Sequence, residues 1–137
     1  IFNNRVAGNN TANILISSYF SANYSGQRKL AEEFDPYPEE ILIYDNTFSG
    51  GGTAPGFDYL VQLRDAVYGP SGAFPDIIWD GIIDPNKPEE KHVICVDNGD
   101  AQLLSIDAGN EFKDAGVDMQ RHKCTVAKLA PVELVGI

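Results

Sequence analysis

A short unit of apolar, aromatic and Asn/Asp residues returns along the chain: Ile1-Phe2-Asn3-Asn4-Arg5-Val6, Ile43-Tyr44-Asp45-Asn46-Thr47-Phe48 and Ile78-Trp79-Asp80-Gly81-Ile82-Ile83. Ile94-Cys95-Val96-Asp97-Asn98-Gly99 is a looser fourth copy whose phase is shifted. Each copy reads as a short strand, a turn at Asn, Asp or Gly where left-handed backbone is tolerated, and a second short strand. Ala12-Asn13-Ile14-Leu15-Ile16-Ser17-Ser18-Tyr19 adds a further strand between the first two copies. Recurrence without the tight spacing of a hairpin predicts strands that stack in parallel from one coil of a solenoid to the next. The expected fold class is therefore all-β, a right-handed parallel β-helix. Asn at a repeated corner can cap the turn and stack its amide on the Asn of the neighbouring coil. Asn3, Asn4 and Asn46 are the candidates for such a ladder, with ordinary turn residues as the plain alternative.

The copies are unevenly spaced, so the coils expected over residues 1–107 carry insertions at 21–38 and 49–75. The first holds a polar helical stretch around residues 27–34 and then two prolines, Pro36 and Pro38, that fix an extended or turned connection. The second opens on the flexible turn Gly50-Gly51-Gly52 and continues with Phe57, Leu60, Val61, Arg64, Val67 and Tyr68 at helical spacing until Gly69-Pro70. One amphipathic helix is predicted there, packed on the coils and covering the open side of a sheet. Strands are expected over residues 91–96 and 102–106. Patterning then fades, and residues 108–137 read as a tail packed on the coils, with a last apolar clip at 131–135.

At 137 residues and 14.9 kDa, 43% hydrophobic and 22% charged, the chain suits one folded domain. A formal charge of -10 disfavours nucleic acid and anionic membrane surfaces as partners. No run of 18 apolar residues exists, so no membrane span is expected. The chain opens on Ile1 inside a patterned segment, which reads as a processed chain or a piece of a longer precursor.

Cys95 and Cys124 are open to three readings: a disulfide, two free buried thiols, or half of a metal site. The disulfide is preferred, because closing a 29-residue separation is worth about 3.5 kcal/mol on the chain-entropy picture and would tie down the polar tail. The metal reading joins His92 and Cys95 to His122 and Cys124, a tetrahedral zinc set, although strand alternation aims His92 and Cys95 at opposite faces. No Cys-x-x-Cys-His is present, which excludes a covalent c-type haem.

Residues 1–20, Phe34-Asp35-Pro36-Tyr37-Pro38-Glu39, residues 41–49 and Pro75-Asp76-Ile77-Ile78-Trp79-Asp80-Gly81 together resemble the carboxy-terminal part of bacterial parallel β-helix domain-containing proteins. That family lies within a broad class of carbohydrate-binding proteins and sugar hydrolases with parallel β-helix repeats. The resemblance implies an exported protein, secreted, periplasmic or at the cell surface, with polysaccharide lyases, epimerases and hydrolases among its relatives. The long run of coils expected on the amino-terminal side is missing from this chain.

Polysaccharide chemistry on such a scaffold calls for carboxylates in a groove and aromatic platforms for sugar faces. Asp45, Asp80 and Asp97 hold comparable places in three copies, so stacking would bring two together as a carboxylate pair or as oxygen ligands for an irregular calcium site, and no cofactor is otherwise expected. The plain reading is solvated turn acids. Asp76, Asp80 and Asp84 flank Trp79, and with Tyr37 and Tyr44 they make a set suited to a sugar subsite; core packing of the aromatics is the plain reading. No Gly-x-Ser-x-Gly and no phosphate loop occurs. The acidic balance favours neutral over anionic glycans. The function expected is an exported module that binds or processes extracellular polysaccharide. The alternative is a non-catalytic structural or surface-interaction module that self-associates through exposed coil ends.

Overall fold

The structure, a computed structural model, describes residues 1–21 and 34–130. The helical stretch expected around 27–34, apart from Phe34, and the clip at 131–135 lie outside the described residues.

Among those residues the chain forms seven short strands and one α-helix: β1 (Arg5–Ala7), β2 (Ile14–Ile16), β3 (Ile41–Tyr44), β4 (Thr47–Ser49), α1 (Asp58–Tyr68), β5 (Ile77–Trp79), β6 (Ile94–Asp97) and β7 (Leu103–Ser105). They make three small sheets, β1-β4, β2-β5-β7 and β3-β6, with every strand pair parallel and no closed barrel. The chain visits the sheets in a fixed order. Phe2 bridges Tyr44 of β3, β1 then joins β4, and β2 joins β5; the sequence from β3 through β4 to β5 repeats the route. β6 returns to β3 and β7 to β5.

Composition follows burial. Ile77-Ile78-Trp79 and Leu103-Leu104 are continuous apolar runs because both faces of their strands are packed, whereas in Ile14-Leu15-Ile16 the outer residue, Leu15, is open. On one face Ile16, Ile77, Trp79 and Leu103 meet Ile43 and Ile94 of the β3-β6 sheet. On the other, Ile78 and Leu104 meet Leu60 of α1 together with Phe74 and Ile106.

The repeated unit is legible as register. Arg5, Val6 and Ala7 face Thr47, Phe48 and Ser49, so the first two copies align residue for residue. The Asn ladder exists, and it runs through three passes: Asn4 Nδ2 donates to Asn46 Oδ1 at 3.0 Å, and Asn46 Nδ2 donates to Asn98 Oδ1 at 2.9 Å. The same oxygens accept the backbone N–H groups of Asn4 and Asn46, which closes each corner. Asn3 is instead the left-handed residue before the ladder, with φ +55°, as Asp45 is with φ +52°.

The third copy is corrected. Ile77-Ile78-Trp79 pairs with Ile14-Leu15-Ile16, in a different sheet from Ile1 and Ile43. The residues that align with the second copy belong to the shifted fourth one, where Tyr44 faces Asp97 and Asn46 meets Asn98. One residue fewer lies between strand and ladder there, which is the phase shift.

Helix α1 lies within the predicted span. Gly69, at φ +79°, ends it with its N–H on Asp65 O, and Pro70 follows. The Gly50-Gly51-Gly52 turn is a fitted corner: Gly52 has φ +72°, and a Cβ on it would lie 2.4 Å from Phe74 O.

The carboxy-terminal segment closes one end of the core. Val96 N–H donates to His122 O, Ser105 and Gly116 exchange backbone bonds, and Met119 packs against the inner cluster. Cys95 and Cys124 form a disulfide with Cα atoms 5.1 Å apart.

Candidate functional site

A groove of about 580 Å³ opens on the outer face of the β2-β5-β7 sheet, where α1 leaves Leu15 of β2 uncovered. Leu15 and Ser17 come from β2 and the residues after it, Phe57, Tyr59 and Leu60 from the start of α1, and Ile106, Ala108 and Phe112 from the chain after β7. Phe20 and Ser21 line the side nearest the end of the first described stretch.

Three aromatic rings form a row along it. Phe57 and Tyr59 are 5.7 Å apart with planes 24° from parallel, and Tyr59 and Phe112 are 6.0 Å apart at 17°. Phe57 is 58% and Tyr59 45% exposed, unusually open for rings of this size. Phe57 is the extended N-cap residue of α1, with φ -129°, and its ring stays outside the helix beside Tyr59. Phe112 is brought in by a turn in which Asp107, Glu111 and Phe112 all take positive φ, at +50°, +56° and +63°. Such backbone is disfavoured for a bulky side chain and persists where the surroundings demand it.

Asp80 is the carboxylate of the groove. It follows β5 directly, is only 2% exposed, and accepts the Ser18 N–H on Oδ2 at 2.5 Å and the Ile82 N–H on Oδ1 at 3.0 Å. Its own N–H donates to Ile16 O and its carbonyl accepts the Ala108 N–H, so the backbone on both sides holds it. No ion pair to Asp80 exists among the described residues.

The other residues singled out by sequence are placed elsewhere. Trp79 is 2% exposed in the inner core, edge-on to His122, so its indole offers no open face to a sugar. Strand alternation sends it inward, while Asp80, the next residue, reaches the groove. Tyr44 is buried too, with Phe2 stacked on it at 4.8 Å and Lys128 Nζ over its ring at 4.2 Å. Tyr37 lies half-buried beside Phe20, 5.4 Å between centroids. Asp45 and Asp97 sit at the corner of the β3-β6 sheet and Asp80 at the end of β5, so the three acids do not stack as one column. The zinc reading is overturned, since both sulfurs are spent in the disulfide and neither is a thiolate ligand. His122 Nδ1 instead lies 2.8 Å from Ile94 O. No group of three or more His, Cys, Asp or Glu side chains among the described residues is placed to hold a metal.

The marked electrostatic shifts lie away from the groove. Lys87 bonds to Asp35 and to Glu39, the latter at 2.9 Å, and ties the 84–88 loop to the segment after 34. Its hydrogen bond holds the Asp35 carboxyl below the usual carboxylate range, and Asp35 and Glu39 raise Lys87 in turn.

Comparison with protein families, with curated proteins and with solved structures finds no match for this chain. No helix among the described residues is long and apolar enough to cross a membrane.

Proposed function

We propose that the chain is three coils of a right-handed parallel β-helix from an exported protein, and that its outer groove binds carbohydrate. The fold reading is supported by the uniformly parallel pairing, the repeated order of sheet visits and the Asn4-Asn46-Asn98 column. A disulfide supports an oxidising compartment.

One observation carries the functional reading: the row of Phe57, Tyr59 and Phe112 lines one groove with the carboxylate of Asp80. Pyranose rings present an apolar C–H face and a polar rim, and an aromatic row with an acceptor at its side meets both. Binding is favoured over hydrolysis, because cleavage of a glycosidic bond ordinarily uses two facing carboxyl groups and Asp80 is the one acid lining the groove among the described residues.

The test is electrophoresis through gels cast with neutral or acidic polysaccharides, with calcium and with chelator, alongside Tyr59→Ala. Retardation by at least one polymer is expected, and about a tenfold loss of affinity in the variant, since a stacked ring is worth about 1 kcal/mol or more. Unretarded migration in every gel sinks the reading.

A specific observation favours a second reading, self-association. Among the described residues nothing pairs with the free edges of β1 and β2, and the Asn4 amide oxygen, the last of the ladder, accepts no hydrogen bond. The opposite end is closed by residues 116–124, so stacking of copies end to end would have to displace that segment. Sedimentation across a hundredfold concentration range separates the two readings.

A further inference from the structure

We propose that the groove selects sugars bearing a protonated amine, so that its glycan is a polymer of amino sugars with free amino groups. This rests on the carbohydrate reading of the same groove. Asp80 is a carboxylate almost wholly withdrawn from water, stabilised by two backbone N–H groups and by no cationic side chain among the described residues. Each of its oxygens keeps a lone pair beyond those bonds. A buried charge without a counter-charge is costly, and the side chain lines an open groove through which a ligand can supply one.

The walls agree with a cation. Aromatic rings attract an ammonium through their negative faces, and Phe57, Tyr59 and Phe112 line the same groove as Asp80. Neither Lys nor Arg is among the described residues that line it, and Arg64, on the same helix, is turned away to Thr53 O and Asp65. The charge of -10 on the whole chain concentrates cations around it and repels uronic acids. A neutral sugar would satisfy the rings but bring no counter-charge to Asp80, which has none among the described residues. An aminated one satisfies both, with the pyranose face on the rings and the ammonium on the carboxylate.

Calorimetry with three β-1,4-linked oligomers of equal length tests this, because oligomers of glucose, N-acetylglucosamine and glucosamine differ at one position of each ring. The expected result is about tenfold tighter binding of the glucosamine oligomer than of the other two. That preference should fade as salt is added, and as pH rises through the pKa of the sugar amine. Asp80→Asn should remove the preference, bringing the glucosamine oligomer to the affinity that the variant has for the other two. The salt and pH series on the unchanged protein read the same preference if that variant fails to fold. Equal binding of all three oligomers overturns the charge selectivity and keeps the carbohydrate reading; binding of none overturns both. Choline chloride forms a fourth arm. Choline bound as tightly as the glucosamine oligomer overturns the glycan assignment in favour of free alkylammonium ligands.

Discussion

On the inner face of the β2-β5-β7 sheet, Ile16, Ile77, Trp79 and Leu103 lie buried against Ile43 and Ile94; on the outer face, the row Leu15-Ile78-Leu104 has two members buried under α1 and the third 52% exposed. The difference is one of cover. The inner face is closed by a second sheet whose strands run the same course, so every residue of it finds a partner. The outer face depends on an 11-residue helix inserted between β4 and β5, which reaches Ile78 and Leu104 and leaves Leu15 open. The proposed binding groove is the part of the sheet that the insertion leaves bare. Stability and binding are thereby assigned to opposite sides of three short strands.

Ile77→Ala is the strongest way to strain that division. Ile77 is fully buried between β2 and β7, and its truncation should cost about 4 kcal/mol, read as a shift in the midpoint of urea unfolding. A loss under about 1 kcal/mol would mean that the inner face is not the close-packed one.

Replacing Cys95 and Cys124 together by Ser tests the closure of the inner face from its end. The segment they pin carries Met119 and His122 against Leu103 and Trp79, so its release opens the inner core while the groove keeps its walls. About 3.5 kcal/mol of stability should disappear, with carbohydrate affinity unchanged in the folded protein. A fall in affinity as large as the fall in stability would show that the two faces are not independent.

These faces were unequally legible in the sequence. Helix α1, bounded by Phe57 and Gly69-Pro70, was readable from local chemistry, as were most of the strands, the preferred disulfide and the Asn4 and Asn46 corners, whereas Ile82-Ile83, expected as the second strand of the third copy, forms none. Register was not. Ile78-Trp79-Asp80 looks like Ile43-Tyr44-Asp45 when only residue types are compared, yet it belongs to another sheet, because a strand buried on both faces gives no alternation to mark its side. The groove was hidden for a related reason. Asp80 was picked out with Trp79, and only the alternation of neighbouring residues separates the acid that reaches the groove from the indole that does not. Tyr59 and Phe112 join from segments far apart in sequence, and Phe112 sits in a polar stretch without period.

Leu15→Ala separates the faces with the smallest expected effect on folding. Leu15 occupies the same strand as Ile16 and the same row as Ile78, but half of it already meets solvent, so truncation should lower stability by only about 0.5 kcal/mol. It removes the apolar side chain that β2 lends to the groove. Losing two or three ligand-facing carbons should weaken carbohydrate binding about fivefold to tenfold. Ile77→Ala, one residue along the paired strand and on the opposite face, should do the reverse, lowering stability and sparing affinity while the protein is folded. Calorimetry on the two variants under native conditions reads that crossover directly, and an unchanged affinity in Leu15→Ala would move the binding surface off this face of the sheet.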